Sequence, residues 1–271
     1  MKSMVLTLGF SPCPNDCFIF DALLHGKIDT ERLKFKAVIE DVEALNKKAF
    51  KNKLDVTKLS FFTFAQVQKD YLLLDSGSAL GFGVGPLVIS DFGFRISDLK
   101  NPKLKIAIPG KNTTANLLFS LAYPHLKNKT EISFSEIENA VLKGKFDLGV
   151  IIHESRFTYE EKGLKKVIDL GEWWEKKTKF PIPLGGIAIK KTFPKGIQQG
   201  VNRVIRRSVE FAFANPSSSK AFIKKHSQEM NDEVIKQHIN LYVNKFSVSL
   251  GKKGNEAVKI FLREVKKMPR P

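Results

Sequence analysis

Cysteine is almost missing from this chain. Cys13 and Cys17 are the only two, which leaves no disulfide framework and no four-ligand metal set. No apolar run approaches membrane-spanning length. Met1 to Phe10 holds one lysine and an apolar stretch too short for a signal-peptide core, with no small-residue cleavage site. A cytoplasmic protein without a membrane partner is therefore expected. Two phosphate-binding signatures also fail. Gly81-Phe82-Gly83-Val84-Gly85 is followed by Pro86 and opens no helix, so it reads as a hinge or crossover rather than a dinucleotide fingerprint. Gly110-Lys111-Asn112-Thr113 lacks the full phosphate-loop spacing. No nucleoside triphosphate is implied.

Acidic residues are scarce against basic ones, 28 to 45, for a net charge of +17. A nucleic-acid binder would concentrate that charge beside a recognisable reading helix or RNA motif. Here lysine and arginine are spread out, and the densest acid-free stretch runs only from Lys190 to Arg207. That stretch reads as a solvated helix face; the alternative is a field that draws in small anions. Nucleic acid is not an expected partner.

What is present suits a sizeable core. The chain has 271 residues, 42% of them hydrophobic and 22 of them phenylalanine, which favours two lobes or one large α/β unit. Val5 to Phe10 reads as a strand, followed by a Pro- and Asn-containing turn and a helix carrying Phe18, Ile19, Phe20 and Leu23. Leu33 to Ile39 alternates as a strand, and Asp41 can cap the next helix. Leu54 to Leu59 is strand again, Ser60 can cap a helix through Val67, and strands follow at 71–74 and 87–90. The series then restarts. A strand at 104–108 leads into a helix opening at Thr113, and a short strand is expected at 132–134. Ser135 with Glu138 fits a capping box. An apolar strand at 148–152 ends at His153. One more strand near 187–189 precedes a mostly helical C-terminus.

Asn52-Lys53-Leu54-Asp55-Val56 and Gly144-Lys145-Phe146-Asp147-Leu148 resemble each other and fall at equivalent places in the two series. Each begins with a residue suited to a left-handed turn after a helix. Two α/β lobes of similar plan closed by C-terminal helices match a type II periplasmic-binding-protein-like fold, with ligand held in a cleft between lobes. The expected larger lobe is 1–90 plus 190–271, and the smaller lobe 91–189.

In that fold four strand-to-helix junctions converge on the ligand: Ser11 to Asp16, Lys58 to Ser60, Asn112 to Thr114, and His153 to Arg156. Helix starts offer unpaired N–H groups and partial positive charge to a carboxylate. Thr113 and Thr114 either add hydroxyl donors to such a site or simply cap the helix. Ser60 has the same two readings, while Lys58 at the end of an apolar strand points more towards function. His153, at the mouth of a buried strand, is either structural or a general base, since imidazole exchanges protons near neutral pH. Glu154 and Arg156 stand beside it to orient it or bind substrate.

Ser11-Pro12-Cys13-Pro14-Asn15-Asp16 followed by Phe18-Ile19-Phe20 resembles the opening of the 1,4-dihydroxy-6-naphthoate synthase family of the futalosine menaquinone pathway. The resemblance continues through Glu40-Asp41-Val42-Glu43, Thr57-Lys58-Leu59-Ser60, Gly83-Val84-Gly85-Pro86 and Thr113-Thr114-Ala115. It is densest at Ile151-Ile152-His153-Glu154-Ser155-Arg156 and Asp169-Leu170-Gly171-Glu172-Trp173-Trp174. It implies a lyase that converts cyclic dehypoxanthine futalosine to 1,4-dihydroxy-6-naphthoate with loss of a three-carbon sugar fragment. It also implies His153 as proton acceptor, Lys58, Leu59, Ser60, Thr113 and Thr114 as substrate contacts, and no metal or organic cofactor. Cys17 departs from the threonine frequent at that place.

The expected partner is a small carboxylated molecule, with a homodimer as the assembly to test for. Chorismate dehydratase is the rival by fold and pathway, and the Ser-Pro-Cys-Pro-Asn-Asp opening weighs against it. A solute-binding protein of a transporter and an effector-binding regulator domain are the other rivals.

Overall fold

The computed structural model describes residues 4–228 and 230–267. The chain forms two compact units, one made of residues up to Gly81 together with those from Pro183 onward, the other of Phe82–Ile182.

In the first unit the chain runs β1 (Met4–Phe10), α1 (Pro14–Leu24), β2 (Leu33–Ile39), α2 (Val42–Phe50), β3 (Val56–Ser60), α3 (Phe61–Val67), β4 (Tyr71–Leu73) and β5 (Ala79–Gly81). The second unit contains β6 (Leu87–Ser90), β7 (Ile106–Ile108), α4 (Thr114–Ala122), β8 (Lys129–Glu131) and α5 (Ile137–Leu142). It continues with β9 (Leu148–Ile151), α6 (Ser155–Thr158), β10 (Lys165–Asp169) and α7 (Leu170–Thr178). The chain then re-enters the first unit through β11 (Ile182–Lys190) and ends in α8 (Lys195–Ala214), α9 (Lys220–His226), α10 (Asp232–Tyr242), α11 (Lys245–Val248) and α12 (Gly251–Lys266).

The two sheets share one plan. In the first, strand order is β2-β1-β3-β11-β4 with β5 also on β11; in the second it is β8-β7-β9-β6-β10. β1 pairs in parallel with β2 and β3, and β7 with β8 and β9. Each parallel trio is then flanked by a strand running the other way, β11 against β3 and β6 against β9. Because β6 pairs with β9 and β10, residues 87–90 belong to the second unit, not to the larger lobe where the sequence reading put them. Likewise β11 pairs with β3 and β4, so the return crossing lies at 182/183 rather than 189/190. Hydrogen-bond pairing, which composition does not encode, sets both boundaries.

Local chemistry explains the elements that matter for function. Pro14 sits at the start of α1, where a missing N–H leaves nothing unpaired. Asp41 caps α2 by accepting the Glu43 N–H at 2.8 Å. α8 is amphipathic, burying Val201, Val204, Ile205, Ser208, Val209 and Ala212 on one face. The apolar ones join Phe10, Ile19, Phe20 and Leu23 in the main core, each large aliphatic adding about 1.5–3 kcal/mol. Ser208 locks the contact by donating to the Ile19 carbonyl at 2.6 Å. The opposite face is basic, and Arg203 and Arg207 both bind Glu31. The acid-free stretch is thus a salt-bridged, solvated helix face.

Two further expectations are corrected, and two strands were not anticipated. The strand expected at 132–134 forms at Lys129–Glu131, in parallel register with β7. The Ser135–Glu138 capping box does not form. Phe134–Glu136 is a 3₁₀ turn, Ser135 meets Ser133 at 2.9 Å, and the Glu138 carboxylate is drawn inward to Ser155 and Lys162. β5 and β10 carry no sequence signal, and pairing with neighbours makes them strands.

Candidate active site

In the first unit, β1 and β3 lie side by side and parallel, so Ser11 and Ser60 leave the sheet at the same end. Asp16, in the first turn of α1, is 1% exposed. Its Oδ2 accepts from the Ser11 N–H at 3.1 Å and the Ser11 hydroxyl at 2.8 Å. Its Oδ1 accepts from Asn15 Nδ2 at 3.0 Å and pairs with Lys58 Nζ at 3.0 Å. The Lys58 ammonium, itself buried, also donates to the Gly77 carbonyl at 3.0 Å. A buried lysine needs such a partner, because its charge without one is strongly disfavoured.

Successive strand residues point to opposite faces. Lys58 and Ser60 therefore share a face of β3, while the Leu59 side chain is fully buried on the other. What Leu59 can offer a ligand is backbone. Ser60 precedes α3 but makes no side-chain cap; its hydroxyl accepts from Asn46 Nδ2 at 3.1 Å and its N–H donates to Asn46 Oδ1 at 3.0 Å. Plain capping is thus not its role. Asn46 was not anticipated, and the signal for it was an asparagine in mid-helix, where that residue is a weak former.

In the second unit, β7 and β9 are likewise parallel neighbours, and both feed candidate residues from their C-terminal ends. Thr113 is the N-cap of α4: its hydroxyl accepts the Asn116 N–H at 3.2 Å and donates to the Gly110 carbonyl at 2.8 Å. The hydroxyl proton expected for a ligand is already placed. Thr114 is the first residue of the helix, and it is buried.

His153 follows β9 with φ of 59°, a left-handed conformation that non-glycine residues rarely adopt. Its half-buried ring meets Phe134 edge-on, centroids 5.0 Å apart. The segment after it is pinned from two sides. Glu138, buried on α5, accepts from Ser155 Oγ at 3.0 Å and Lys162 Nζ at 2.7 Å. Arg156 pairs with Asp169 at 2.6 Å and also binds the Gly85 carbonyl. Arg156 therefore supports the fold around His153. Asp169 in turn caps α7 through the N–H groups of Gly171 and Glu172. A Cβ at Gly85 would lie 2.2 Å from the Gly171 backbone, so this glycine serves close packing. Glu138 was not recognised from sequence as part of this support, since nothing local distinguishes it from a capping glutamate.

Burial pushes the Cys17 thiol far above its ordinary range, and the Asp16 and Asp21 carboxylates add to this. Cys17 is a core residue, not a nucleophile. Burial, followed by the neighbouring Glu160, pushes the Tyr159 phenol up to about 12.

Two units of the same parallel-trio plan, with polar groups gathered at strand C-termini, define a two-lobed α/β protein of the periplasmic-binding-protein-like class. Solved structures share that fold. The alkanesulfonate-binding protein of Xanthomonas axonopodis pv. citri is 14% identical with a TM-score of 0.70, covering 100% of this chain and 96% of that one. A protein of Archaeoglobus fulgidus is 34% identical with a TM-score of 0.90, and 98% of each chain is covered.

The chain belongs to the menaquinone-biosynthesis family, whose model, described as "Menaquinone biosynthesis", matches residues 6–267. The 1,4-dihydroxy-6-naphthoate synthase of Thermus thermophilus is 44% identical over 253 residues, 93% of this chain and 91% of that protein. The enzyme of the same name from Streptomyces coelicolor is 38% identical over 264 residues, 96% and 92%. This chain is an enzyme of that family.

Proposed function

We propose that this enzyme cleaves cyclic dehypoxanthine futalosine to 1,4-dihydroxy-6-naphthoate, releasing a three-carbon sugar fragment, with His153 as general base. The relatives named for that product, matched along nearly the whole chain, support the product of this reaction. The observation that carries the base is the backbone of His153. A histidine held at φ of 59° past a buried strand costs about 1–3 kcal/mol. The Glu138 and Arg156 anchors offset that cost. Strain of this kind fits a side chain aimed for chemistry.

In this reading the His153 imidazole removes a substrate proton, and carbon–carbon cleavage follows as the ring system becomes aromatic. The N-terminus of α4, with Thr114 and the Thr113 cap, holds the substrate carboxylate. Lys58, Ser60 and the Leu59 backbone are the further contacts of this reading to a small carboxylated molecule. Two buried cysteines that form no disulfide fit a reducing, cytoplasmic setting. Incubating the pure protein with cyclic dehypoxanthine futalosine should release the naphthoate, read by mass. Intact substrate after prolonged incubation with folded enzyme would overturn the assignment.

A further inference from the structure

We propose that His238 is a positioning residue that sets the direction of the Lys58 ammonium through Asn15 and Asp16. His238 lies on α10, 223 residues from Asn15 in sequence, yet its Nε2 is 2.9 Å from Asn15 Oδ1. Asn15 Nδ2 then donates to Asp16 Oδ1 at 3.0 Å, the same oxygen that holds Lys58 Nζ at 3.0 Å. His238, Asn15, Asp16 and Lys58 are all buried, at 0%, 7%, 1% and 5% exposure. A chain of four buried polar side chains is favourable only when each is oriented.

The polarity of the chain is fixed by chemistry. A carboxylate paired with a lysine only accepts, so the Asn15 amide must turn its nitrogen towards Asp16. Its oxygen then faces His238, which must donate from Nε2. That donor keeps the amide from turning over. With the amide fixed and Ser11 holding the other carboxylate oxygen, Asp16 has one orientation. Two of the three Lys58 protons are placed by Asp16 and the Gly77 carbonyl, and the third is left for substrate. The Asn-Asp pair of the Ser-Pro-Cys-Pro-Asn-Asp block thus becomes a relay between a C-terminal helix and Lys58. The inference rests on Lys58 being a substrate contact, as proposed above.

The test is steady-state kinetics on cyclic dehypoxanthine futalosine. His238→Phe keeps a ring against Tyr242, 4.7 Å away, but removes the donor. It should raise KM about five- to thirtyfold, the worth of one buried hydrogen bond to a charged network, with kcat little changed. His238→Gln restores an amide N–H and should return KM to within about threefold of wild type. In a Lys58→Met background His238→Phe should add nothing, since both act on one contact. An unchanged KM in His238→Phe, or a full additional loss in the Lys58→Met background, overturns the relay. If Lys58→Met itself leaves KM unchanged, the Lys58 contact falls and the relay with it, a result distinct from the other two. Folding of the variants is bypassed by ¹⁵N NMR of the wild-type histidine rings: the His238 proton should be on Nε2, and a ring bare at Nε2 also overturns the proposal.

Discussion

Asp55 and Asp147 occupy corresponding positions, each just before the third parallel strand of its unit and each taking a backbone N–H, from Thr7 in β1 and from Lys105 just ahead of β7. Asp55 Oδ2 accepts the Thr7 N–H at 3.0 Å, and Asp147 Oδ2 accepts the Lys105 N–H at 2.6 Å. Asn52 and Gly144, three residues earlier in each segment, both adopt the left-handed turn, with φ of 51° and 66°. The five-residue likeness seen in the sequence is thus a strand-entry device used twice. In the first unit it is elaborated: the Thr7 hydroxyl donates to Asp55 at 2.8 Å, and Lys190 closes on the other carboxylate oxygen at 3.1 Å.

Asp55 should therefore matter more for stability than Asp147, whose carboxylate is solvated. We expect Asp55→Ala to lose about 1–3 kcal/mol in urea unfolding, as for a half-buried group with several donors left unpaired. Burial works against the Asp55 charge, but the Thr7 donors and Lys190 outweigh it and hold the carboxyl below its usual range. Its stabilisation is complete above the unfolded value of about 3.9 and is lost as pH falls through the lower folded value. The gap between wild type and Asp55→Asn should accordingly narrow on acidification below about pH 4. A gap that widens with acid contradicts the sign.

The two threonines of the α4 start should separate. Thr113→Val removes a cap and should lower stability by about 1 kcal/mol. Thr114→Val leaves the cap intact and should raise KM several-fold, equivalent to about 1 kcal/mol of binding. Thermal melts beside Michaelis constants distinguish the two. Equal effects of both substitutions on KM, with no change in stability, would return Thr113 to the substrate.

Cys17 should resist alkylation. With its thiol held protonated by burial and by Asp16 and Asp21, iodoacetamide at pH 8 should leave it unmodified in the native enzyme and label it in denaturant. Native labelling at the rate of a free thiol, located by peptide mass, would contradict the burial argument.

His153→Asn keeps hydrogen bonding and approximate shape but accepts no proton. It should lower kcat by roughly 10²- to 10⁴-fold with a far smaller change in KM. An Asn variant within a few-fold of wild type would move the search for the base to Glu154 or Asp16.

Much of what depends on neighbours along the chain was legible in the residues alone. Hydrophobic periodicity located β1, β2, β3, β7 and β9. The N-caps Asp41 and Thr113, the left-handed turns at Asn52 and Gly144, and the candidate residues at strand ends are also local, so pattern and residue type suffice. The repeated Lys-apolar-Asp segment even exposed the duplicated plan. Tertiary structure alone decided what depends on partners distant in sequence. Strand pairing assigned β6 to the second unit and made strands of β5 and β10. Burial turned Glu138 from a helix cap into the anchor of the segment after His153. The roles of Asn46 at Ser60 and of His238 at Asn15 likewise have no local signature. A polar side chain shut away from water must find a partner wherever the fold supplies one, and chain order does not say where that is.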